Sequence, residues 1–181
     1  RIITAADDYV ADVFVDGEKV TLIGRKLDVP ADTVINARGK YVLPGGVDVH
    51  THMEVPFGGT QTCDSFTDGT ISGAFGGTTT IVDFCMQQPG QTIPEALETW
   101  HGKIQKNKPV IDVGFHLAVT DLKDKGTVAD LARLPDEGVT SYKLFMAYKG
   151  AVMVDDETLF RTMQVAAETG ALVMVHAENG D

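Results

Sequence analysis

The sequence predicts an α/β chain: the N-terminal part of a (β/α)8 TIM-like barrel, preceded by strands of a small β-sandwich domain. Three observations predict it. From Gly46 onward, short apolar or β-branched runs alternate with longer stretches of helical character, the pattern of βα units in a parallel sheet. Before that point, residues 1–43 hold only short alternating runs and turns, too little to bury a core alone. Between the two, Leu43-Pro44-Gly45-Gly46 breaks any earlier element and starts a new one. Residues 1–43 are therefore expected to be part of a small β domain, and residues 44–181 the first βα units of a barrel.

The elements follow in order. Residues 9–15 and 19–23 alternate apolar and polar, and Asp16-Gly17 between them is a hairpin signal. A short strand is expected at 33–35, and Lys40-Tyr41-Val42-Leu43 leads extended into Pro44. Residues 47–50 read as a strand and 65–75 as a helix closed by Gly76-Gly77. A β-branched strand at 78–84 precedes a helix at 94–106, whose proline sits in the first turn. Strands at 110–119, 141–146 and 172–176 alternate with helices at 127–133 and 156–168, the last ended by Gly170. A closed barrel takes roughly 250 residues, so these 181 are expected to be the front part of one.

Composition excludes several classes of partner. The formal net charge is −11 and no basic stripe exists to neutralise phosphates, so nucleic acid is not expected. The longest apolar stretches fall far short of a membrane span. Two cysteines, Cys63 and Cys85, are too few for a disulfide framework, and a reduced, cytoplasmic setting is expected. Cys85 ends an apolar strand and reads as core or pocket lining.

The residue types that carry chemistry gather at strand ends. In His50-Thr51-His52 the imidazoles stand at i and i+2 and share one face of a strand. Both can reach one metal ion if that face opens into a pocket; otherwise they are two polar residues terminating a strand. Lys143 lies among apolar and aromatic neighbours in Ser141-Tyr142-Lys143-Leu144-Phe145-Met146. It either snorkels to the exposed strand end or is held as a neutral amine by desolvation, able to add CO2 and become an anionic carbamate. His176 closes an apolar strand, as a structural residue or as a ligand. His50, His52, Lys143 and His176 all fall at C-terminal strand ends, where a parallel barrel places its chemistry. His101, inside a helix, reads as surface, and His116, mid-strand, either lines the site or does not.

In this combination the chain resembles the amidohydrolase superfamily and, within it, the dihydropyrimidinase/hydantoinase family. The resemblance rests on four blocks in order: Tyr41-Val42-Leu43-Pro44-Gly45-Gly46-Val47-Asp48-Val49-His50-Thr51-His52, Gly76-Gly77-Thr78-Thr79-Thr80-Ile81-Val82-Asp83-Phe84, Ser141-Tyr142-Lys143-Leu144-Phe145-Met146-Ala147-Tyr148 and Val175-His176-Ala177-Glu178-Asn179-Gly180. The resemblance implies a hydrolase that opens the cyclic amide of dihydropyrimidines or 5-substituted hydantoins to N-carbamoyl amino acids. It implies two divalent ions, usually zinc, with His50 and His52 on the more buried one, a carboxylated Lys143 bridging both, and His176 on the second. Tyr148 matches the family tyrosine that hydrogen-bonds the developing oxyanion. A further His and an Asp that shuttles the proton belong to later strands, so the 181 residues alone are expected to be inactive. The family also implies a homo-oligomer, a tetramer.

Dihydroorotases share the His-x-His strand but follow it with an arginine that holds a substrate carboxylate. Here Met53-Glu54-Val55-Pro56-Phe57-Gly58-Gly59 offers no cation, so an uncharged ring is favoured, with Met53, Phe57 and Phe145 as an apolar wall. An allantoinase-type cyclic amidohydrolase and a non-catalytic, dihydropyrimidinase-like oligomeric scaffold are the alternatives. The four ligand-type residues stand against the scaffold.

Overall fold

The computed structural model describes residues 1–88, 90–122 and 125–180; Asp181, the last residue of the expected barrel segment, lies outside them. The chain forms two compact units, Arg1–Gly45 and Gly46–Asp181.

In the first unit, β1 (Ile2–Ile3) pairs antiparallel with β2 (Asp8–Tyr9). Ile2 also bridges to Val42, fixed by the bonds from Ile3 N to Val42 O (3.0 Å) and from Val42 N to Arg1 O (2.8 Å). The expected hairpin forms from β3 (Asp12–Asp16) and β4 (Lys19–Gly24), turned at Gly17, whose φ of 60° only glycine adopts freely. The strand expected at 33–35 does not form. Val34 and Ile35 are 85% and 83% exposed, with no ladder beside them among the described residues. A β-branched dipeptide without a partner strand gains neither hydrogen bonds nor a packed face.

The second unit is built on five parallel strands in sequential order: β5 (Gly46–Thr51), β8 (Thr78–Met86), β9 (Asp112–Ala118), β10 (Ser141–Phe145) and β11 (Leu172–His176). A small hairpin of β6 (Pro56–Phe57) and β7 (Thr60–Gln61) follows β5; sequence reading missed it, although Gly58 and Gly59 carry its positive-φ turn. Helices α1 (Phe66–Gly76), α2 (Ile93–Lys106), α3 (Lys125–Arg133) and α4 (Asp156–Thr169) connect the strands. Their ends follow from sequence. Ser65 caps α1, Thr92 and Glu95 form a reciprocal capping box on α2, and Asp155 caps α4, while Gly77 and Gly170 stop their helices left-handed. A 3-10 turn, Leu134–Glu137, leads to β10 and was not foreseen.

Strand alternation divides the sheet into two faces. Ile81, Cys85, Phe115, Leu117, Tyr142 and Leu144 point to the helices and are buried. Phe115 meets Phe66 of α1 edge-on at 6.4 Å, and the Tyr142 hydroxyl donates to Leu131 O of α3 (2.8 Å). The other face carries His50, Phe84, His116, Lys143, Phe145 and His176 from five successive strands, as the registers Phe84↔His116 and Phe145↔His176 require. Among the described residues, no helix is long and apolar enough to cross a membrane.

Candidate functional site

The five-stranded sheet brings the sequence-predicted residues onto its helix-free face. The His50 and His52 rings lie 5.2 Å apart at 75°, and each rests on Phe84, at 5.1 and 5.0 Å. His52 is exposed at its rim, yet partial loss of water, then the nearby His50 and Lys143, hold its pKa below the ordinary imidazole value. Lys143 is half-buried three strands further on, its Nζ 5.2 Å from the centre of the Phe145 ring, and desolvation draws its pKa down. A lowered ammonium pKa is what the neutral-amine reading requires.

Phe145 links this part of the site to the rest. Its ring lies 5.8 Å from His176 and 6.1 Å from Tyr148, which in turn is 5.4 Å from His176. The His176 Nε2 is buried. It lies 3.1 Å from Glu178 Oε2, but off the line of a hydrogen bond, so it has no hydrogen-bond partner. Tyr148 sits in the left-handed region, φ 67°, which costs a tyrosine conformational energy and persists only where the surroundings impose it. Bonds from Ala151 N to Tyr148 O (3.0 Å), Val154 N to Phe145 O (2.9 Å) and Met146 N to His176 O (3.0 Å) impose it. Gly180 closes the loop from the other side, where a Cβ would come within 2.7 Å of Met146 O.

Two of the three expected wall residues are in place. Phe57, on the β6–β7 hairpin, faces Tyr148 edge-on at 6.4 Å, and Phe145 sits among the polar groups. Met53 is not a wall residue. It falls on the opposite side of the chain from His52 and packs into the helix-covered core against Gly69 of α1. Alternation dictates this, since Thr51 and Met53 share a side and His50 and His52 the other.

The remaining candidates resolve by contact. His116 is buried and both ring nitrogens are engaged, Nδ1 with Ser141 Oγ and Nε2 with Val49 O at 3.0 Å. It lies on the site face with neither nitrogen open to a ligand. His101 is exposed on α2, as expected, with its ring edge-on to Phe115. Cys85 is fully buried in the helix-side core and burial pushes its thiol up to about 12, so it carries no nucleophile.

Asp83 is the residue that sequence reading passed over. It is fully buried on the helix side, and its Oδ2 accepts both the Thr51 hydroxyl and the Met53 N–H at 2.8 Å. Burial raises its pKa to about 6 against the pull of those bonds. Its Oδ1 and the Trp100 indole Nε1 are both buried without a formed hydrogen bond, although the indole helps to lower that pKa. The signal was present in Ile81-Val82-Asp83-Phe84-Cys85, where a carboxylate shares a face with two apolar residues.

Among the described residues, no three His, Cys, Asp or Glu side chains converge as a metal-binding group. The donors on the site face are imidazoles on β11 and at the end of β5, with a lysine between them. The His176 Nε2, buried and without a formed hydrogen bond, and the pKa-lowered amine of Lys143 are nitrogen donors of the kind a metal ion takes.

A parallel βα sheet with a histidine pair, a desolvated lysine and a tyrosine at its strand ends is the frame against which the chain's relatives fall. It is 52% identical over 181 residues to a D-hydantoinase of Geobacillus stearothermophilus, covering 99% of this chain and 38% of that protein. It is 42% identical over 186 residues to a dihydropyrimidinase of Rattus norvegicus, covering 100% of this chain and 36% of that one. The crystal structure of dihydropyrimidinase from Brevibacillus agri NCHU1002 superposes with a TM-score of 0.94 at 54% identity, over 99% of this chain and 39% of that one. No protein-family model matches. The chain belongs to the D-hydantoinase/dihydropyrimidinase family and spans about two fifths of the length of these relatives, their N-terminal part.

Proposed function

We propose that the complete protein is a metal-dependent hydrolase that opens the cyclic amide bond of dihydropyrimidines or 5-substituted hydantoins to give N-carbamoyl amino acids. The observation that carries this reading is the placement of His50, His52, Lys143 and His176 on one face of the sheet, with Tyr148 beside His176. Its relatives, a D-hydantoinase and a dihydropyrimidinase, support the substrate class.

In this reading His50 and His52 would hold one divalent ion and His176 a second, zinc in each case, and Lys143, carboxylated by CO2, would supply anionic oxygen donors shared by the two. When bound, such a pair supplies Lewis acidity and a water-derived nucleophile at neutral pH. The chain's own groups do the rest. Phe84 fixes the two imidazoles by contact, and the apolar surroundings of Lys143 keep its amine free to take up CO2. Tyr148, held in place by its backbone bonds, donates its phenolic hydrogen to the oxygen of the ring carbonyl as charge develops there. Phe57 and Phe145 flank the ring, and no cation follows His52 to demand a carboxylate on the substrate. The rest of the protein supplies the further His and the proton-shuttling Asp, closes the barrel along the exposed Val47, Val49 and Leu172 of the edge strands, and completes a small β-sandwich with the first unit. The protein works in the cytoplasm as a tetramer.

The test is direct. The full-length protein, purified with its metal, is expected to open dihydrouracil and 5-substituted hydantoins and to hold two divalent ions per chain by elemental analysis. Protein free of metal, or unable to open either ring when loaded with zinc, overturns the assignment.

A further inference from the structure

The turn that follows His52 is held from the helix side of the sheet, away from every group assigned to the chemistry. Asp83 Oδ2 takes the Thr51 hydroxyl and the Met53 N–H, one on each side of His52. The next residue, Glu54, is left-handed at φ 52° and is clamped by α2. Lys103 Nζ donates to Glu54 O at 2.8 Å while lying 3.6 Å over the Trp100 ring, and the Asn107 amide donates to Glu54 Oε1. Three of the four residues 51–54 (Thr51, Met53 and Glu54) are thus held by side chains of β8, of α2 and of its C-cap. Asp83 provides the two bonds nearest the imidazoles.

A carboxylate is an expensive way to fill this position. Apart from its donors, the Trp100 indole and the Lys103 ammonium nearby, the space around Asp83 is apolar, and Cys85 and Ile81, its neighbours on the same face, show what the core accepts there. A buried charge retained in such a place has to return something other than packing energy. What it returns is two acceptor contacts on the strand end that carries His50 and His52. Loss of the Thr51 contact frees the last residue of β5, and loss of the Met53 contact frees the backbone immediately after His52.

We propose that Asp83 is a positioning residue of the histidine pair: its carboxylate locks Thr51 and Met53 and so sets the aim of His52 relative to His50. The inference rests on the metal-site reading given above and extends it to the opposite face of the sheet. Asp83 touches no reacting atom; it acts through the backbone of 51–53.

The test uses the full-length protein with Asp83→Asn, Asp83→Leu and Thr51→Val. Zinc affinity is measured by competition with a chromophoric chelator, and hydrogen exchange by mass spectrometry on peptides of the metal-stripped protein. Outer partners of ligands typically contribute 10–100-fold to metal affinity, so Asp83→Leu and Thr51→Val are each expected to weaken zinc by about that factor. Both are expected to speed exchange at 50–55 and leave the other strands unchanged. Asp83→Asn keeps an acceptor oxygen in the same volume and is expected to stay close to the parent in both measurements, which a charge effect does not predict, while Thr51→Val, which leaves the Asp83 volume untouched, separates the hydrogen bond from space filling. If Asp83→Leu does not fold, Thr51→Val decides. Parent-like zinc affinity in the leucine or valine variant, or an asparagine variant as weak as the leucine one, overturns the proposal. If the parent itself binds no zinc, the assigned function falls, and exchange alone then decides for Asp83: acceleration confined to 50–55 supports it, while unchanged or uniform exchange overturns it.

Discussion

Replacing Asp83 by asparagine isolates the energetic cost of one buried charge. Burial moves this carboxyl from 3.8 to about 6, so the folded protein holds the proton more tightly than the unfolded chain does. The resulting stabilisation is fully present below pH 3.8 and is lost as pH rises through about 6, after which the folded state bears the whole cost of the carboxylate. At about 1.4 kcal/mol per pH unit, the displacement amounts to about 3 kcal/mol. The bonds from Thr51 and Met53, which favour the ionised form, are already included in that balance. Asp83→Asn preserves an acceptor and does not titrate. The unfolding free energy of the metal-stripped variant, measured by urea titration, is therefore expected to gain on the parent by about 2 kcal/mol of that total between about pH 4 and pH 7.5. Taking the difference between the two proteins cancels every other carboxylate. Parallel curves for variant and parent would refute the reasoning, because a buried Asp83 with an unshifted pKa contributes no such slope.

The other expectations concern the site face. Lys143→Ala is expected to remove most bound metal and ring-opening activity, and added short carboxylic acids to restore part of both; full metal content in the variant, by elemental analysis, counts against a bridging role. Tyr148→Phe removes one donor to a developing oxyanion and is expected to lower kcat by about 10²–10³ with KM little changed. An unchanged kcat removes the tyrosine from the mechanism.

The barrel-type half of the chain was legible because its signals are local. Ser65, Thr92 with Glu95, and Asp155 start helices, Gly77 and Gly170 stop them, and β-branched runs between them have nowhere to go but a parallel sheet. Boundaries moved by a residue or two where a tertiary bond intervened: Val110 was expected to open a strand, but its N–H is taken by the Thr70 hydroxyl, and β9 starts at Asp112. The first unit was less legible, since two-residue strands such as β1 exist only through distant partners like Val42. Site residues standing on strand ends could be read by position alone. Asp83 could not, because what matters about it is the pair of donors 30 and 32 residues away that no spacing announces.

The histidines show why residue type and position do not settle a role. His50, His116 and His176 all stand on the same face of the same sheet, and periodicity alone treats them alike. They differ in what their nitrogens already hold. His116 accepts from the Ser141 hydroxyl at Nδ1 and donates from Nε2 to Val49 O, reaching from β9 past β8 to the strand that carries His50. That tautomer leaves no lone pair for a metal, and burial lowers its pKa, favouring the neutral ring that the two bonds require. His176 is half-buried, and its Nε2, itself shielded from solvent, lies 3.1 Å from Glu178 Oε2 without forming a hydrogen bond, so its lone pair or proton is not committed to a backbone or hydroxyl partner as those of His116 are. One imidazole is spent on tying the sheet together, so a substitution at His116 should act on the geometry of β5, whereas one at His176 should leave the sheet intact and, in the proposed site, cost a contact to the second ion.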